Sequence, residues 1–131
     1  MVYLVYILKS DCYSYVGMTN DFFKRWRQHN KEIKGGAKYT SKRKEWYPIC
    51  IIDGFQTRVE AMQCEWAIKH SKKLRGPDGR VKHLHKLLSK ERWTSKSPII
   101  KDQKLTIYMD DDYKQYLKND TIKTKELNWR Y

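Results

Sequence analysis

The sequence predicts an α+β fold in which a small antiparallel β-sheet is flanked by about three helices. Apolar and aromatic residues alternate with a period of two near the N-terminus and again near the middle of the chain, which indicates strands. The segments that follow repeat their apolar residues at helical spacing. The 131 residues are enough for one domain with a single core. We expect residues 1–95 to form that domain and residues 96–131 to pack on it as a partly ordered strand and short helix.

The predicted sheet consists of an N-terminal β-hairpin and a third strand. Two β-rich runs, 2–8 and 13–17, flank the polar residues 9–11, and this arrangement is typical of a hairpin. The third strand is predicted over 46–53, where isoleucines supply the apolar positions. Gly54 is expected to end it, because glycine is rare inside strands.

A helix follows the hairpin and carries two candidate functional side chains. Asn20 is the expected N-cap, because its side chain can accept a hydrogen bond from a free backbone N–H group. The apolar face that we expect to lie in the core consists of Phe22, Trp26 and Ile33. Arg25 and His29 are four residues apart at the edge of that face. We therefore expect both side chains to be half-buried and directed back across the hairpin.

The next helix begins with a capping box and contains a carboxylate in an apolar setting. Residues 57–60 have the Thr-x-x-Glu form of the box, and the helix is expected to run to about Lys72. One flank consists of Val59, Met62 and Trp66, and the other of Ala61, Cys64 and Ile68. Glu65 falls between the flanks, where a carboxylate is costly to bury unless a positive group meets it. Two interpretations stay open: an exposed or salt-bridged glutamate, and a metal ligand.

The rest of the chain predicts a third helix and a fourth strand. Residues 76–79 are typical of a turn, and a helix is expected after them to about Arg92. Its apolar face consists of Val81, Leu84, Leu87 and Leu88. A strand is predicted over 105–109. We interpret the aspartates at 110–112 as residues that satisfy backbone N–H groups at a helix start, rather than as metal ligands.

The charge of the chain predicts a polyanionic partner. The formal net charge is +13, and nucleic acid is the commonest partner of so basic a chain, although a basic surface can also serve solubility. The ten tyrosines and five tryptophans suit stacking on bases as well as an ordinary aromatic core. The loop over 34–44 combines glycines with cations, and we expect it to be mobile without ligand. The candidate phosphate contacts are Lys24, Arg27, Lys38, Lys42, Arg43 and Lys44.

The cysteines indicate reduced thiols rather than a disulfide framework or a zinc site. There are three, Cys12, Cys50 and Cys64, and no Cys-x-x-Cys pair occurs. No apolar run is long enough to cross a bilayer, and the N-terminus does not resemble a signal peptide. We therefore expect an intracellular protein of the cytoplasm or nucleus, with a viral or phage source as an alternative, and no membrane partner.

Several segments, taken together, resemble a known enzyme family. Val2-Tyr3 followed by Tyr15-Val16-Gly17 is similar to the paired motif of the GIY-YIG nucleases. Residues 24–30 resemble the helix after that motif, with an arginine and a histidine four apart. Residues 46–66 resemble the branch of structure-specific endonucleases that cut flaps and Holliday junctions. The resemblance covers about residues 1–75 and rests on four ordered matches.

The resemblance implies a metal-dependent DNA endonuclease and gives roles to five residues. Tyr3 and Tyr15 would contact the attacking water and the scissile phosphate, one of them as general base. Arg25 would hold a phosphate oxygen, and His29 would orient or donate a proton. Glu65 would bind one Mg²⁺ ion, or Mn²⁺ in its place. The implied substrate is branched DNA, in repair or recombination.

The sequence departs from the family pattern at two points. Met1 stands where the family has the glycine of its first motif, so Tyr6 is the alternative to Tyr3 for the first tyrosine. One further match adds a candidate: the family's loop beside the active site corresponds to residues 34–44, which contain Tyr39. The flap-cutting branch usually carries a zinc-binding RING domain, for which the cysteines are missing here. No RING-mediated scaffold partner can therefore be carried over, and the oligomeric state is open.

Two other functions remain as alternatives. The first is a sequence-preferring or homing-type endonuclease of the same family, which usually adds a long DNA-binding extension. Only a short segment follows Ser97, and this favours the structure-specific branch. The second is a non-catalytic nucleic-acid-binding module. The retained candidate side chains argue against it: Tyr3, Tyr15, Arg25 and Glu65.

Overall fold

The structure, a computed structural model, describes residues 2–43, 45–71, 75–119 and 121–128. Within these ranges a five-stranded sheet has the order β2-β1-β3-β4-β5. The strands are β1 Tyr3–Ser10, β2 Tyr13–Thr19, β3 Tyr47–Phe55, β4 Thr106–Met109 and β5 Lys123–Glu126. β5 lies parallel to β4, and the other neighbouring strands are antiparallel. The predicted α+β class is confirmed, and the sheet is larger and more mixed than the sequence indicated.

The predicted hairpin is present with a two-residue turn. Ser10 pairs with Tyr13, so the turn consists of Asp11 and Cys12 alone. Asp11 has a φ of 54°, in the left-handed region that aspartate tolerates better than most residues. The prediction that residues 9–11 interrupt the strand is therefore wrong for residues 9 and 10, because both belong to β1 and pair with residues of β2.

The third strand continues through Gly54 to Phe55, so the prediction that Gly54 ends it is wrong. Gly54 has a φ of 113°, which glycine adopts without steric cost. A Cβ atom there would lie 2.9 Å from the backbone oxygen of Lys104. The pairing of β1 with β3 also shifts register opposite this point. Glycine here marks an irregular strand position with a close backbone contact rather than a strand end.

Four α-helices and two 3₁₀-helices complete the described elements. The α-helices are α1 Phe22–His29, α2 Lys38–Ser41, α3 Arg58–Lys69 and α4 Gly76–Leu87. The 3₁₀-helices span Ile100–Gln103 and Asp111–Tyr116. The N-cap of α1 is Asp21 and not the predicted Asn20, because the Asp21 carboxylate accepts the hydrogen bond from the Lys24 backbone N–H. α1 ends at His29, which leaves Ile33 outside the helix.

The ends of the two longer helices differ from the prediction at three places. The capping box of Thr57 and Glu60 is confirmed, but α3 ends at Lys69, and Lys72 lies outside the described residues. The predicted turn over 76–79 is wrong, because these residues form the first turn of α4. Pro77 has no N–H group to donate. It is accommodated there because the N–H groups of the first helical turn have no acceptor within the helix. α4 ends at Leu87 rather than at about Arg92.

The sheet separates two clusters of buried side chains. β1 supplies both, since Val5 and Ile7 point to one face while Tyr6 and Leu8 point to the other. The first cluster is aliphatic and packs against α3 and α4 through Ala61, Cys64, Ala67, Ile68, Val81, Leu84 and Leu87. The second is centred on Tyr6, Leu8 and Trp46, with Phe22 and Trp26 of α1 packed against it. We call these the aliphatic face and the aromatic face.

The C-terminal segment extends the sheet. β4 pairs with β3, and β5, which the sequence did not predict, pairs with β4. Asp110 caps the following 3₁₀-helix by accepting a hydrogen bond from the Asp112 backbone N–H, which supports the capping interpretation. The domain boundary near residue 95 stays a prediction. Within the described ranges, no helix is long and apolar enough to cross a membrane.

Candidate active site

Tyr6 and His29 form a buried hydrogen-bonded pair on the aromatic face. The Tyr6 hydroxyl lies 2.8 Å from His29 Nε2. The side chains are 1% and 0% exposed. Tyr6 pairs with Gly17 across the hairpin, and a Cβ atom at residue 17 would collide with the Tyr6 hydroxyl. Because Gly17 has no side chain, the Tyr6 side chain can pass over it and reach His29 on α1.

Thr40 fixes the tautomer of His29. Its hydroxyl lies 2.8 Å from His29 Nδ1 and donates to the Ala37 carbonyl oxygen at 3.0 Å. A hydroxyl group has a single proton to donate, so Thr40 must accept its hydrogen bond from the N–H group of Nδ1. Nε2 of the neutral ring then carries the lone pair and accepts the Tyr6 O–H. Both ring nitrogens of His29 are therefore hydrogen-bonded.

Burial sets the protonation states of this pair. Burial and the charge of Arg25 lower the pKa of His29 to about 4, so the ring is neutral at pH 7. Burial also raises the pKa of Tyr6 far above its usual value, and Tyr15 adds to the effect, while Arg25 opposes it. Tyr6 is therefore a stable hydrogen-bond donor to His29.

Arg25 lies beside both tyrosines with one of its nitrogens already engaged. Nη1 donates to Gln28 Oε1 at 2.9 Å and to the Gly35 carbonyl oxygen at 2.8 Å. Burial alone would lower the pKa of Arg25, but its interactions with Tyr6 and Tyr15 raise it overall. The guanidinium is half-buried, as the sequence predicted, whereas His29 is buried completely. These two hydrogen bonds thus orient the planar guanidinium of Arg25 toward the Tyr6 and Tyr15 hydroxyls.

The glycine pair of the basic loop allows that loop to pack against α1. A Cβ atom on Gly36 would collide with the backbone oxygen of Gln28. The close approach brings the Gly35 carbonyl to Arg25 and leads into α2, which presents Thr40 to His29. The predicted loop over 34–44 is therefore anchored at both of these contacts and contains a helical turn at Lys38–Ser41.

Two further tyrosines lie in front of the buried pair. The Tyr15 ring centroid is 4.7 Å from that of His29 and 6.3 Å from that of Tyr6. Tyr39 stacks on Tyr15 at 6.2 Å, with 26° between the ring planes. Tyr15 is half-buried and Tyr39 is exposed, so the cluster opens to solvent on this side.

Glu65 lies at the border of the tyrosine cluster. Its side chain is 22% exposed, and one carboxylate oxygen lies 3.8 Å from Lys69 Nζ. The same ammonium group lies 5.7 Å from the centre of the Tyr15 ring. The charge of Glu65 contributes to the raised pKa of Tyr6, after burial and the nearer side chains. The site therefore extends around the edge strand β2, from the aromatic face to α3.

Tyr3 lies on the opposite face of the sheet from Tyr6 and Tyr15. It pairs with Phe55 and packs against the aliphatic cluster, whereas Tyr15 belongs to the aromatic face. Residues 3 and 6 point to opposite faces, because side chains alternate along a strand. The preference for Tyr3 over Tyr6 rested on spacing along the chain, and the structure places Tyr3 on the aliphatic face and Tyr6 on the aromatic face with Tyr15. Which of the two is the first catalytic tyrosine stays a prediction. Tyr6 is the N-terminal tyrosine that the structure brings to Tyr15, Arg25 and His29.

The predicted phosphate contacts are mostly exposed, as expected for DNA-binding side chains. Lys24, Arg27, Lys38 and Lys42 are exposed, and Arg43 is half-buried with its guanidinium 3.7 Å above the centre of the Tyr13 ring. Lys44 lies outside the described residues.

The sequence analysis missed Thr40 and Trp46 as parts of the site. The indole N–H of Trp46 donates to the Thr40 carbonyl oxygen at 3.0 Å, and Trp46 is fully buried. A threonine in a polar loop gives no signal of such a role. The hairpin register could have identified Tyr6, because it places residue 6 opposite Gly17 and on the same face as Tyr15.

Comparison with known proteins supports the family suggested by the motifs. Residues 1–76 match the GIY-YIG catalytic domain. The structure-specific endonuclease subunit slx1 of Schizosaccharomyces japonicus is 40% identical over 82 residues, which cover 60% of this chain and 30% of that protein. The protein of that name from Cryptococcus neoformans var. neoformans is 33% identical over 104 residues, covering 72% and 21%. The Candida dubliniensis protein is 30% identical over 131 residues, covering 89% and 46%.

The chain thus spans less than half the length of these relatives. The matched segment contains every candidate catalytic residue, from Tyr3 to Glu65, and it covers more than half of the 131 residues. The resemblance predicted from the motifs is confirmed, and the chain belongs to the GIY-YIG catalytic domain family.

Proposed function

We propose that this chain is a metal-dependent endonuclease that hydrolyses phosphodiester bonds in branched DNA. The observation that carries the proposal is the convergence of Tyr6, Tyr15, Arg25 and His29 on one face of the hairpin, with Glu65 at its border. The relatives bear the name structure-specific endonuclease, which supports branched DNA as the substrate. The net charge of +13 suits a polyanion.

Glu65 is the residue that would hold the metal ion. GIY-YIG nucleases generally depend on a divalent metal. The Glu65 carboxylate is partly exposed and has a loose, flexible ion-pair partner in Lys69, so it is open to a hard cation. The described residues contain no group of three or more histidine, cysteine or carboxylate side chains that could bind a metal together. One carboxylate suits a single Mg²⁺ ion, which keeps most of its waters, and Mn²⁺ would fit the same site. When bound, the ion would neutralise charge on the phosphate and polarise its oxygens.

Arg25 is suited to hold the scissile phosphate. Nη1 is anchored by Gln28 and Gly35, so the rest of the guanidinium is directed to the space before Tyr6 and Tyr15. A guanidinium held in this way can donate two parallel hydrogen bonds to a phosphate and can stabilise the extra negative charge of the transition state.

The two tyrosines have different surroundings, which supports different roles. Tyr15 is partly exposed, so its side chain is more accessible to substrate and water than the buried Tyr6. We infer that Tyr15 contacts the attacking water beside the phosphate that Arg25 holds. Tyr6 is buried and keeps its proton on the bond to His29, so it positions the neighbouring groups.

His29 supports this arrangement by accepting a hydrogen bond. The ring is neutral at pH 7, and its two nitrogens are engaged by Tyr6 and Thr40. Of the two roles suggested by the resemblance, orientation therefore fits this geometry better than proton donation. Thr40 becomes a positioning residue, because it determines which nitrogen faces Tyr6.

Cleavage assays on matched DNA substrates test the proposal. A flap, a fork, a four-way junction and a linear duplex would be compared with Mg²⁺, each in two unrelated sequences. We expect the branched substrates to be cut far faster than the duplex in both sequences, because contacts to phosphates position DNA without reading bases. Glu65→Gln should abolish cleavage and leave DNA binding largely intact, since the change removes the charge but keeps the shape. Glu91→Gln is the matched control, because that carboxylate is exposed and pairs loosely with Arg92.

Three outcomes would contradict the proposal. Metal-dependent cleavage by the Glu65→Gln variant near the unmodified rate would remove the metal assignment. Equal rates on linear and branched DNA would remove the substrate class. Cutting at one fixed sequence in every structure would favour the homing-type alternative.

A further inference from the structure

A groove of about 600 Å³ has Tyr15 in its lining, and its lining does not include the buried Tyr6 or His29. The start of β2, the turn of α2, the end of α3 and the start of α4 form its walls. The side chains relevant here are Tyr13, Tyr15, Tyr39, Lys69, Arg75 and Arg80. The groove is open to solvent, so an extended chain can lie along it. Because Tyr15 belongs to both, the groove is continuous with the candidate active site.

The groove is positively charged, and the described residues that line it include no carboxylate. Lys69, Arg75 and Arg80 contribute three cations. Among the described residues, Lys69 has an ion pair with Glu65, and no carboxylate pairs with either arginine. Lys69, Arg75 and Arg80 line the same groove, so their like charges repel each other. In keeping with this, burial and the charge of Arg75 lower the pKa of Arg80. An anion in the groove would relieve this repulsion.

The opposite wall is aromatic and open to solvent. Tyr13 is 40% exposed and Tyr39 is 42% exposed. The Arg43 guanidinium lies 3.7 Å above the Tyr13 ring and 5.4 Å from the centre of the Tyr39 ring. Stacked aromatic and guanidinium planes form a platform on which a nucleobase can stack. Bases in a duplex are covered by their neighbours, so only an unpaired base can use such a platform.

We propose that this groove binds an unpaired DNA strand next to the scissile phosphate. Lys69 and Arg75 contact its phosphates, and one base stacks on the Tyr13–Arg43 platform. Arg80 adds positive charge while its guanidinium donates to Ser14 and to the Ile68 and Lys69 carbonyl oxygens. The inference rests on the proposed function, because it names the part of the substrate that this endonuclease holds. It also gives the enzyme a physical reason to prefer branched DNA, since flaps and forks supply the unpaired strand.

The test is equilibrium binding by fluorescence anisotropy in the presence of a chelator, so that no cleavage occurs. The probes are a labelled oligothymidylate and a labelled duplex with the same number of phosphates. We expect Tyr13→Ala and Arg75→Ala each to weaken single-strand binding roughly tenfold, and duplex binding less than about threefold. Tyr13→Phe should bind as the unmodified protein does, because it keeps the ring.

Lys82 and Tyr116 provide the matched control. They form a similar cation–aromatic pair, with Lys82 Nζ 4.9 Å from the ring centre, and line a different groove. Tyr116→Ala and Lys82→Ala remove the same ring and the same charge, and they should leave single-strand affinity unchanged. Arg75→Glu, at an exposed position, serves as the second test should Tyr13→Ala fail to fold.

The salt dependence separates the two parts of the groove. Arg75→Ala should reduce the slope of log affinity against log salt by roughly 0.7, as expected for one lost phosphate contact on a single strand. Tyr13→Ala should lower the affinity with no change of slope. Equal losses on duplex and single strand, unchanged single-strand affinity, or no single-strand binding at all would overturn the inference.

These measurements also distinguish the inference from the proposed function. If Tyr13→Ala and Arg75→Ala bind the single strand normally while the protein cuts branched DNA, the inference fails and the endonuclease proposal stands. If they lose single-strand binding while the unmodified protein cuts no DNA, the groove assignment stands and the endonuclease proposal fails.

Discussion

The two faces of the sheet are held together by different kinds of contact. On the aliphatic face, α3 and α4 bury small and branched apolar side chains against β1 and β3. On the aromatic face, α1 and α2 bury aromatic rings together with a histidine whose two ring nitrogens are both hydrogen-bonded. Polar groups buried in this way must keep their partners, whereas apolar contacts tolerate substitutions that preserve volume. We therefore expect changes on the aliphatic face to lower stability alone, and changes on the aromatic face to lower activity, together with stability where a buried hydrogen bond is lost.

Arg25→Lys on the aromatic face should have the largest effect. We expect the single-turnover rate to fall about a thousandfold, or about 4 kcal/mol, because an ammonium group cannot replace the anchored planar fork. The denaturation midpoint should change little, since Arg25 is partly solvated. Full activity in the lysine variant would show that Arg25 acts through its charge alone.

Ile68→Ala on the aliphatic face should have the opposite profile. Ile68 is fully buried on α3, and its truncation should lower the free energy of unfolding by about 3 kcal/mol, as measured by urea titration. The cleavage rate per folded molecule should not change. Val59→Ala on the same helix is the control and should cost less than about 0.5 kcal/mol, because Val59 is 61% exposed. A large loss of rate in Ile68→Ala would mean that the two faces are coupled.

Tyr6→Phe and Tyr3→Phe compare one hydroxyl on each face. Tyr6→Phe leaves His29 Nε2 buried without a donor, which should lower the free energy of unfolding by about 2 kcal/mol and slow cleavage roughly tenfold. Tyr3→Phe should change both quantities little. If the Tyr3 variant loses more activity than the Tyr6 variant, the assignment of Tyr6 to the site is incorrect.

The pH dependence of stability isolates His29. Its pKa is about 4 in the folded chain and 6.5 in the unfolded chain, so below pH 6.5 the unfolded chain binds a proton that the folded chain does not. The free energy of unfolding should therefore fall by about 2 kcal/mol between pH 7 and pH 5. Urea titrations at the two pH values measure this, and His29→Gln should remove that part of the decrease. An equal decrease in the glutamine variant would assign it to other groups.

Local signals in the sequence predicted much of the fold. The alternation along β1 and the box formed by Thr57 and Glu60 depend on neighbouring residues, so they are readable from the chain. Pro77 was misread because a Gly-Pro pair fits a turn and a helix start equally well. β5 was missed because its side chains are exposed and show no apolar alternation.

The candidate site was predicted only in part, for a different physical reason. Arg25 and His29 are four apart on one helix, so their proximity follows from helical geometry. The choice between Tyr3 and Tyr6 depends on which strand face meets α1, and the role of Thr40 depends on how the glycine loop folds back. Contacts of this kind join distant parts of the chain and leave no periodic trace in the sequence. The roles of these residues in catalysis stay predictions.

The hydrogen bond from the Trp46 indole to the Thr40 carbonyl has a thermodynamic consequence for substrate binding. Releasing the α2 turn would break that bond and uncover a fully buried indole, so the turn opens only at a cost close to that of disrupting the aromatic cluster. We therefore expect the α2 turn to be ordered before any DNA arrives, in contrast to the mobility expected from the sequence. Ordering such a segment on binding would cost about 1–2 kcal/mol per residue in backbone entropy, and that cost is met during folding instead.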